Sequence, residues 1–239
     1  MTGIAREERL IVALDLPTPR EAQALVEKLA GAARFYKVGL ELFSSDGCFE
    51  LIRWLAARGN KVFADLKLYD IPETVRRATA NLSRSGASFL TVHAHPSVLR
   101  AAAAEKGAMK ILGVTVLTSF DQGDLDEMGA TKTIEQLVLA RAKAAVEAGC
   151  DGVIASGHEA AKLKAEFGRR LLVVTPGIRP AGTEAGDQKR TVDVAQAFRN
   201  GADYIVVGRP IRAAADPRAA AQAIQDTIAR SFPATGAAA

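Results

Sequence analysis

Five ionisable side chains sit in or just beyond apolar, β-branched runs. Asp15 is the penultimate residue of LIVALDL, Lys37 interrupts FYKVGLEL, Asp65 and Lys67 fall inside KVFADLKL, and Asp70 follows shortly after. Charges inside apolar strands are costly unless paired, so their grouping is the most informative feature of the sequence. Asp65 and Lys67 are two residues apart, which on a strand puts them on one face. Lys37 comes from the preceding run and Asp15 from the one before that. If all four point inward they form an alternating Lys-Asp-Lys-Asp array, with Asp70 just past the strand end. Alternating charges hold each other ionised. A lysine kept as an ammonium is a poor base or Schiff-base nucleophile, but it suits protonation of a carbanion. The competing reading is a structural ion-pair belt, which fits any one of these residues better than it fits the set.

A second group suits an anion. PGIRP, from Pro176, and GRP, from Gly208, combine glycines that let backbone N–H groups approach a ligand with Arg179 and Arg209, which offer bidentate contacts. Between them AGTEAGDQK is polar and glycine-rich and reads as a lid, with Gln188 a candidate phosphate contact; the competing reading is an ordinary exposed loop. His93-x-His95 has metal-ligand spacing but lacks an evident third ligand, so hydrogen-bonded histidines are expected. His158 reads as a helix-start residue, and Trp54, at helical spacing with Leu51 and Leu55, as packing.

The elements that must position these groups alternate. Strands are expected at Leu10–Leu16, Phe35–Leu42, Lys61–Leu68, Phe89–His95, Lys110–Thr118, Gly152–Ser156, Leu171–Pro176 and Tyr204–Gly208. Helical periodicity fills the gaps: a segment opened by Thr18-Pro19, then Gly47–Arg58, Ile71–Ser85, Pro96–Glu105, Thr133–Ala148, His158–Phe167, Thr191–Asn200 and Asp216–Ser231, with a short helix expected after Pro210. Continuous apolar strands alternating with helices predict a parallel sheet buried on both faces, and eight units in 239 residues predict a single (β/α)8 TIM barrel over residues 1–239, its tail 233–239 frayed. No G-x-G-x-x-G follows the first strand and no P-loop is present. Barrel chemistry sits at strand C-termini, with phosphate near the last two strands. Both groups above lie there.

Composition agrees. Hydrophobic residues at 49% and charged residues at 24% exclude disordered and fibrous classes. Net charge is +4, but like charges occur only as pairs such as Arg76-Arg77, which argues against a nucleic-acid partner. No apolar run approaches the roughly 20 residues of a membrane span, and the charged start, Arg6 to Arg9, does not read as a signal peptide. Cys48 and Cys150 stand alone and read as reduced thiols of a cytoplasmic protein.

The segments LIVALDLP, YKVGLELF, ADLKLYDIPETV, VTVLTS, TPGIRPAG followed by DQKRT, and ADYIVVGRPI together resemble the orotidine 5′-phosphate decarboxylase family, in family order from Leu10 to Ile211. D-x-K-x-x-D alone is shared with sugar-phosphate decarboxylases and synthases; its combination with GIRP and DQKRT is more specific. The resemblance implies decarboxylation of orotidine 5′-monophosphate to uridine 5′-monophosphate in pyrimidine nucleotide synthesis, by a homodimer with no metal and no organic cofactor. It implies that Asp15 and Lys37 contact the ribose and that Lys67 is the proton donor within the array of Asp65, Lys67 and Asp70. It further implies that Thr118 meets the pyrimidine and Pro176 the substrate. Arg179, Gln188, Gly208 and Arg209 would hold the phosphate, and Asp70, Ile71 and Thr74 would reach the partner subunit's site. One departure is HAHPSVLR after the fourth strand, where relatives run into small residues. The alternatives are a Mg2+-dependent 3-keto sugar-phosphate decarboxylase, a hexulose phosphate synthase, or a phosphate-sensing barrel without catalysis.

Overall fold

Phe35, Phe63, Phe89 and Tyr204 meet edge to face inside a closed ring of strands, with the Phe35 and Phe89 ring centroids 4.9 Å apart. The computed structural model describes residues 3–179 and 190–233. Gln188 and most of the expected frayed tail lie outside the described residues. The strands are Leu10–Ala13 (β1), Phe35–Gly39 (β2), Lys61–Leu68 (β3), Phe89–His93 (β4), Lys110–Val114 (β5), Gly152–Ile154 (β6), Leu172–Thr175 (β7) and Tyr204–Val207 (β8). Each pairs in parallel with its sequence neighbours, and β8 returns to β1 to close the barrel.

The aromatics stand at or near the strand starts and fill the N-terminal half of the interior. With Ile11, Leu112, Val114, Ile154 and Val174 they form one buried cluster. Because side chains alternate along a strand, the inward rows that begin with Ile11, Phe35 and Phe63 continue to Asp15, Lys37 and Asp65. The apolar plug therefore forces the charges to the C-terminal mouth. The opposite strand faces pack under helices in two larger clusters. Several of those helices start on side-chain caps. The Thr18 side chain accepts from the Glu21 N–H with Pro19 in the first turn, and Thr133 and Gln136 form a capping box.

Several strands stop short of the expected ends. β1 stops at Ala13, β4 at His93 and β5 at Val114. The residues beyond remain buried: Leu14 keeps one bond to β2, its N–H donating to the Lys37 carbonyl at 2.9 Å, and Val116 lies past the end of β5, so apolar character overran the strands. β2 ends at Gly39, where Leu40–Phe43 turns helical. The helix expected from His158 begins at Ala160, leaving His158 in the preceding turn. A short helix at Gln122–Glu127, opened by a capping box between Asp121 and Asp124, was not expected. The one expected after Pro210 spans Arg209–Arg212 and contains it. Both cysteines are buried and free, their thiols pushed up by burial to about 11 at Cys48 and about 12 at Cys150, which leaves them inert.

Candidate active site

β1, β2 and β3 bring the four central charges together at the barrel mouth. Lys37 Nζ lies 2.8 Å from Asp15 Oδ1 and 3.5 Å from Asp65 Oδ2, and Lys67 Nζ lies 2.9 Å from Asp65 Oδ1. The expected alternating array is present, with Asp65 its buried centre: its side chain is 13% exposed against 39% for Asp15. Burial alone would raise the Asp65 carboxyl, but Lys37 and Lys67 outweigh it and hold it below the usual range. Burial alone would lower the Lys37 ammonium, but Asp65 and Asp15 hold it above its ordinary value. Both groups are therefore charged at neutral pH.

These charges line a cleft of about 590 Å³ whose other wall comes from the loops after β5, β7 and β8. Thr118, Pro176, Arg179, Gly208 and Arg209 all face it. Burial and the nearby Arg209 both lower Arg179; two guanidiniums brought together in this way favour a shared anion. The loop after β7 is held by a bridge between Ile178 and Val192, with the Arg179 N–H donating to the Val192 carbonyl at 3.0 Å.

Asp70, Ile71 and Thr74 do not join the cleft. They are exposed at the start of the helix Pro72–Ser83, outside the cleft lining, and Ile71 is 67% exposed. Asp70 Oδ1 accepts from the Ile71 N–H at 2.6 Å. His93 and His95 line a separate, more apolar cleft of about 480 Å³. His95 Nδ1 lies 2.9 Å from Ser97 Oγ, and His93 packs beside the Tyr69 ring, centroids 5.2 Å apart. Burial, then Arg141 and Lys67, lowers His93. Among the described residues no three His, Cys, Asp or Glu side chains gather as a metal site would require.

Four contributors were not expected from sequence. Gly39 is one, because a Cβ there would come within 2.9 Å of Lys37 Nζ and 3.2 Å of Asp15 Oδ1. A glycine at a strand end reads only as a turn. Arg212, one turn beyond Arg209, faces the cleft and donates to the Asp15 carbonyl; that helical spacing was the available signal. Arg190 pairs with buried Glu159 and donates to the Leu117 carbonyl at 3.1 Å, bracing the loop that carries Thr118. Thr91, buried on β4, donates its hydroxyl to Asp65 Oδ1 at 2.9 Å.

Residues 8–224 match the family described as orotidine 5′-phosphate decarboxylase / HUMPS. An orotidine 5′-phosphate decarboxylase of Methylococcus capsulatus is 57% identical over 226 residues, covering 94% of this chain and 93% of its own. One from Methylobacterium radiotolerans is 52% identical over 231 residues, covering 96% and 100%. The crystal structure of orotidine 5′-phosphate decarboxylase from Lactobacillus acidophilus superposes with a TM-score of 0.82 at 37% identity, over 92% of this chain and 99% of that one.

Proposed function

The chain belongs to the orotidine 5′-phosphate decarboxylase / HUMPS family, and on that premise we propose how its cleft works. It decarboxylates orotidine 5′-monophosphate to uridine 5′-monophosphate, a step of pyrimidine nucleotide biosynthesis. The substrate phosphate lies between Arg179 and Arg209, with the Gly208 backbone and Gln188 completing its contacts. Asp15 and Lys37 take the ribose hydroxyls. Thr118 and Pro176 bound the pyrimidine and turn C6 toward β3.

The observation that carries this reading is the Lys67 ammonium, 2.9 Å from buried Asp65 at the cleft floor. When the C6 carboxylate leaves as CO2, the bonding electron pair stays on C6 and is not delocalised into a carbonyl. An ammonium standing there stabilises the developing charge and then delivers its proton to C6. Asp65 orients that lysine through their contact and disfavours the bound carboxylate. Phosphate contacts far from C6 supply the binding energy that orients the base.

The metal-dependent alternative is disfavoured by the same geometry, since the Lys37 ammonium occupies the space between Asp15 and Asp65 that a divalent cation would take. We place Asp70, Ile71 and Thr74 in the partner's cleft of a C2 homodimer; their exposure outside their own cleft supports this, as do the exposed Tyr69 and Met128 nearby. Among the described residues no helix is long and apolar enough to cross a membrane. Separately, we infer a cytoplasmic location from the substrate, a nucleotide of pyrimidine biosynthesis. The test is the ultraviolet change as orotidine 5′-monophosphate becomes uridine 5′-monophosphate. Turnover unaffected by EDTA supports the reading; absence of turnover, or dependence on Mg2+, overturns it.

A further inference from the structure

Two irregularities coincide on β3. Its pairing with β4 slips between Ala64↔Leu90 and Leu68↔Val92, so four steps along β3 are matched by two along β4. Within that slip Lys67 has φ 48°, in the left-handed region. Ala30 is the other non-glycine described there, and it caps a helix end, where that conformation is common. A long side chain in this conformation on a strand is strained, and such strain persists only where the surroundings impose it.

The imposing group is the Thr91 hydroxyl. The Lys67 N–H donates to Thr91 Oγ1 at 3.0 Å, and Thr91 Oγ1 donates to Asp65 Oδ1 at 2.9 Å. Because the backbone N–H can only donate, the hydroxyl proton must go to the carboxylate. One fully buried hydroxyl thus fixes the backbone of Lys67 and the carboxylate that Lys67 Nζ meets. A β-branched residue suits this task, since its χ1 is restricted. We propose that Thr91 is a positioning residue, whose hydroxyl holds Lys67 in its left-handed conformation and so aims the ammonium at the reacting carbon.

The inference rests on the reading of Lys67 as proton donor, and the experiment separates the two. Thr91→Val keeps the shape and removes the hydroxyl; Thr91→Ser keeps the hydroxyl and removes the methyl. Thr91→Val is expected to lower kcat about 100-fold, with KM and the Kd for uridine 5′-monophosphate changed by less than about threefold, because the product lacks the carboxylate and needs no proton. Thr91→Ser is expected to stay within about threefold of wild-type kcat. If Thr91→Val does not fold, Thr91→Ala against Thr91→Ser reads the hydroxyl at nearly equal volume, with the same expected ratio. Wild-type kcat in the hydroxyl-free variant overturns the inference while Lys67→Ala is inactive. So does a serine variant as slow as the valine one, or a loss shared equally by product binding. Turnover retained by Lys67→Ala overturns the donor reading first, and this one with it.

Discussion

Lys67 and Asp65 lie two residues apart on β3, and the Lys67 ammonium reaches Asp65 Oδ1 at 2.9 Å across the arch where the strand slips against β4. Asp65 also has Lys37 at 3.5 Å, so removing the Lys67 ammonium leaves the carboxylate paired. Lys67→Ala should therefore fold and bind uridine 5′-monophosphate but lose decarboxylation almost entirely. Steady-state turnover within about tenfold of wild type, a barrier change near 1.4 kcal/mol, would contradict its role as proton donor.

Asp65 gives a pH-dependent stability. Its folded pKa is depressed, so the stabilisation it supplies is fully present above the unfolded value of roughly 3.9 and disappears as pH falls through the folded value. Asp65→Asn leaves Lys37 and Lys67 with Asp15 as the remaining carboxylate of the array. The variant should be less stable by about 3 kcal/mol at pH 7, as for breaking a buried pair. Urea midpoints at pH 7 and pH 3 measure this; the gap between variant and wild type should narrow at the lower pH, and an unchanged gap would assign the loss to packing.

The phosphate contacts should couple to chemistry. Arg209→Ala is expected to weaken nucleotide binding and also lower turnover, because remote binding energy orients the base. Free phosphite, occupying the vacated position, should partly activate a truncated substrate lacking its phosphate. Assays of that substrate with and without phosphite decide the matter: no activation means the phosphate group anchors without assisting.

Much of this site was legible because charge inside an apolar run is conspicuous. Lys37, Asp65 and Lys67 had to be paired wherever the strands placed them, and strand alternation alone put them on one side. The left-handed conformation at Lys67 was not legible, since it arises from a slip between strands and from a threonine twenty-four residues away. Gly39 was equally silent, as its meaning depends on how closely Lys37 and Asp15 approach it. The overrun strand ends have one cause: apolar composition reports burial, and Leu14 and Val116 are buried beyond the ends of β1 and β5. Alternation of strand and helix, by contrast, carried the barrel directly, because covering both faces of a parallel sheet requires it.

The position of Asp70 supports a shared site that can be tested by complementation. Asp70 lies outside the inward register of Asp65 and Lys67, is exposed, and is followed at once by Ile71 and the helix from Pro72. If it serves the neighbouring barrel, Lys67→Ala and Asp70→Ala subunits are inactive for different reasons. In their heterodimer one site carries both lesions and the other carries none. Each patch of a C2 interface serves both subunits, so up to about half of the heterodimer's sites should be active. The experiment is to unfold, mix and refold the two variants, verify heterodimers with distinguishable tags, and compare activity with each variant refolded alone. Activity well above both parents supports the shared site. A mixture no more active than its parents, with heterodimers present, means that Asp70 acts within its own chain and that the cleft of a single subunit is complete without a partner.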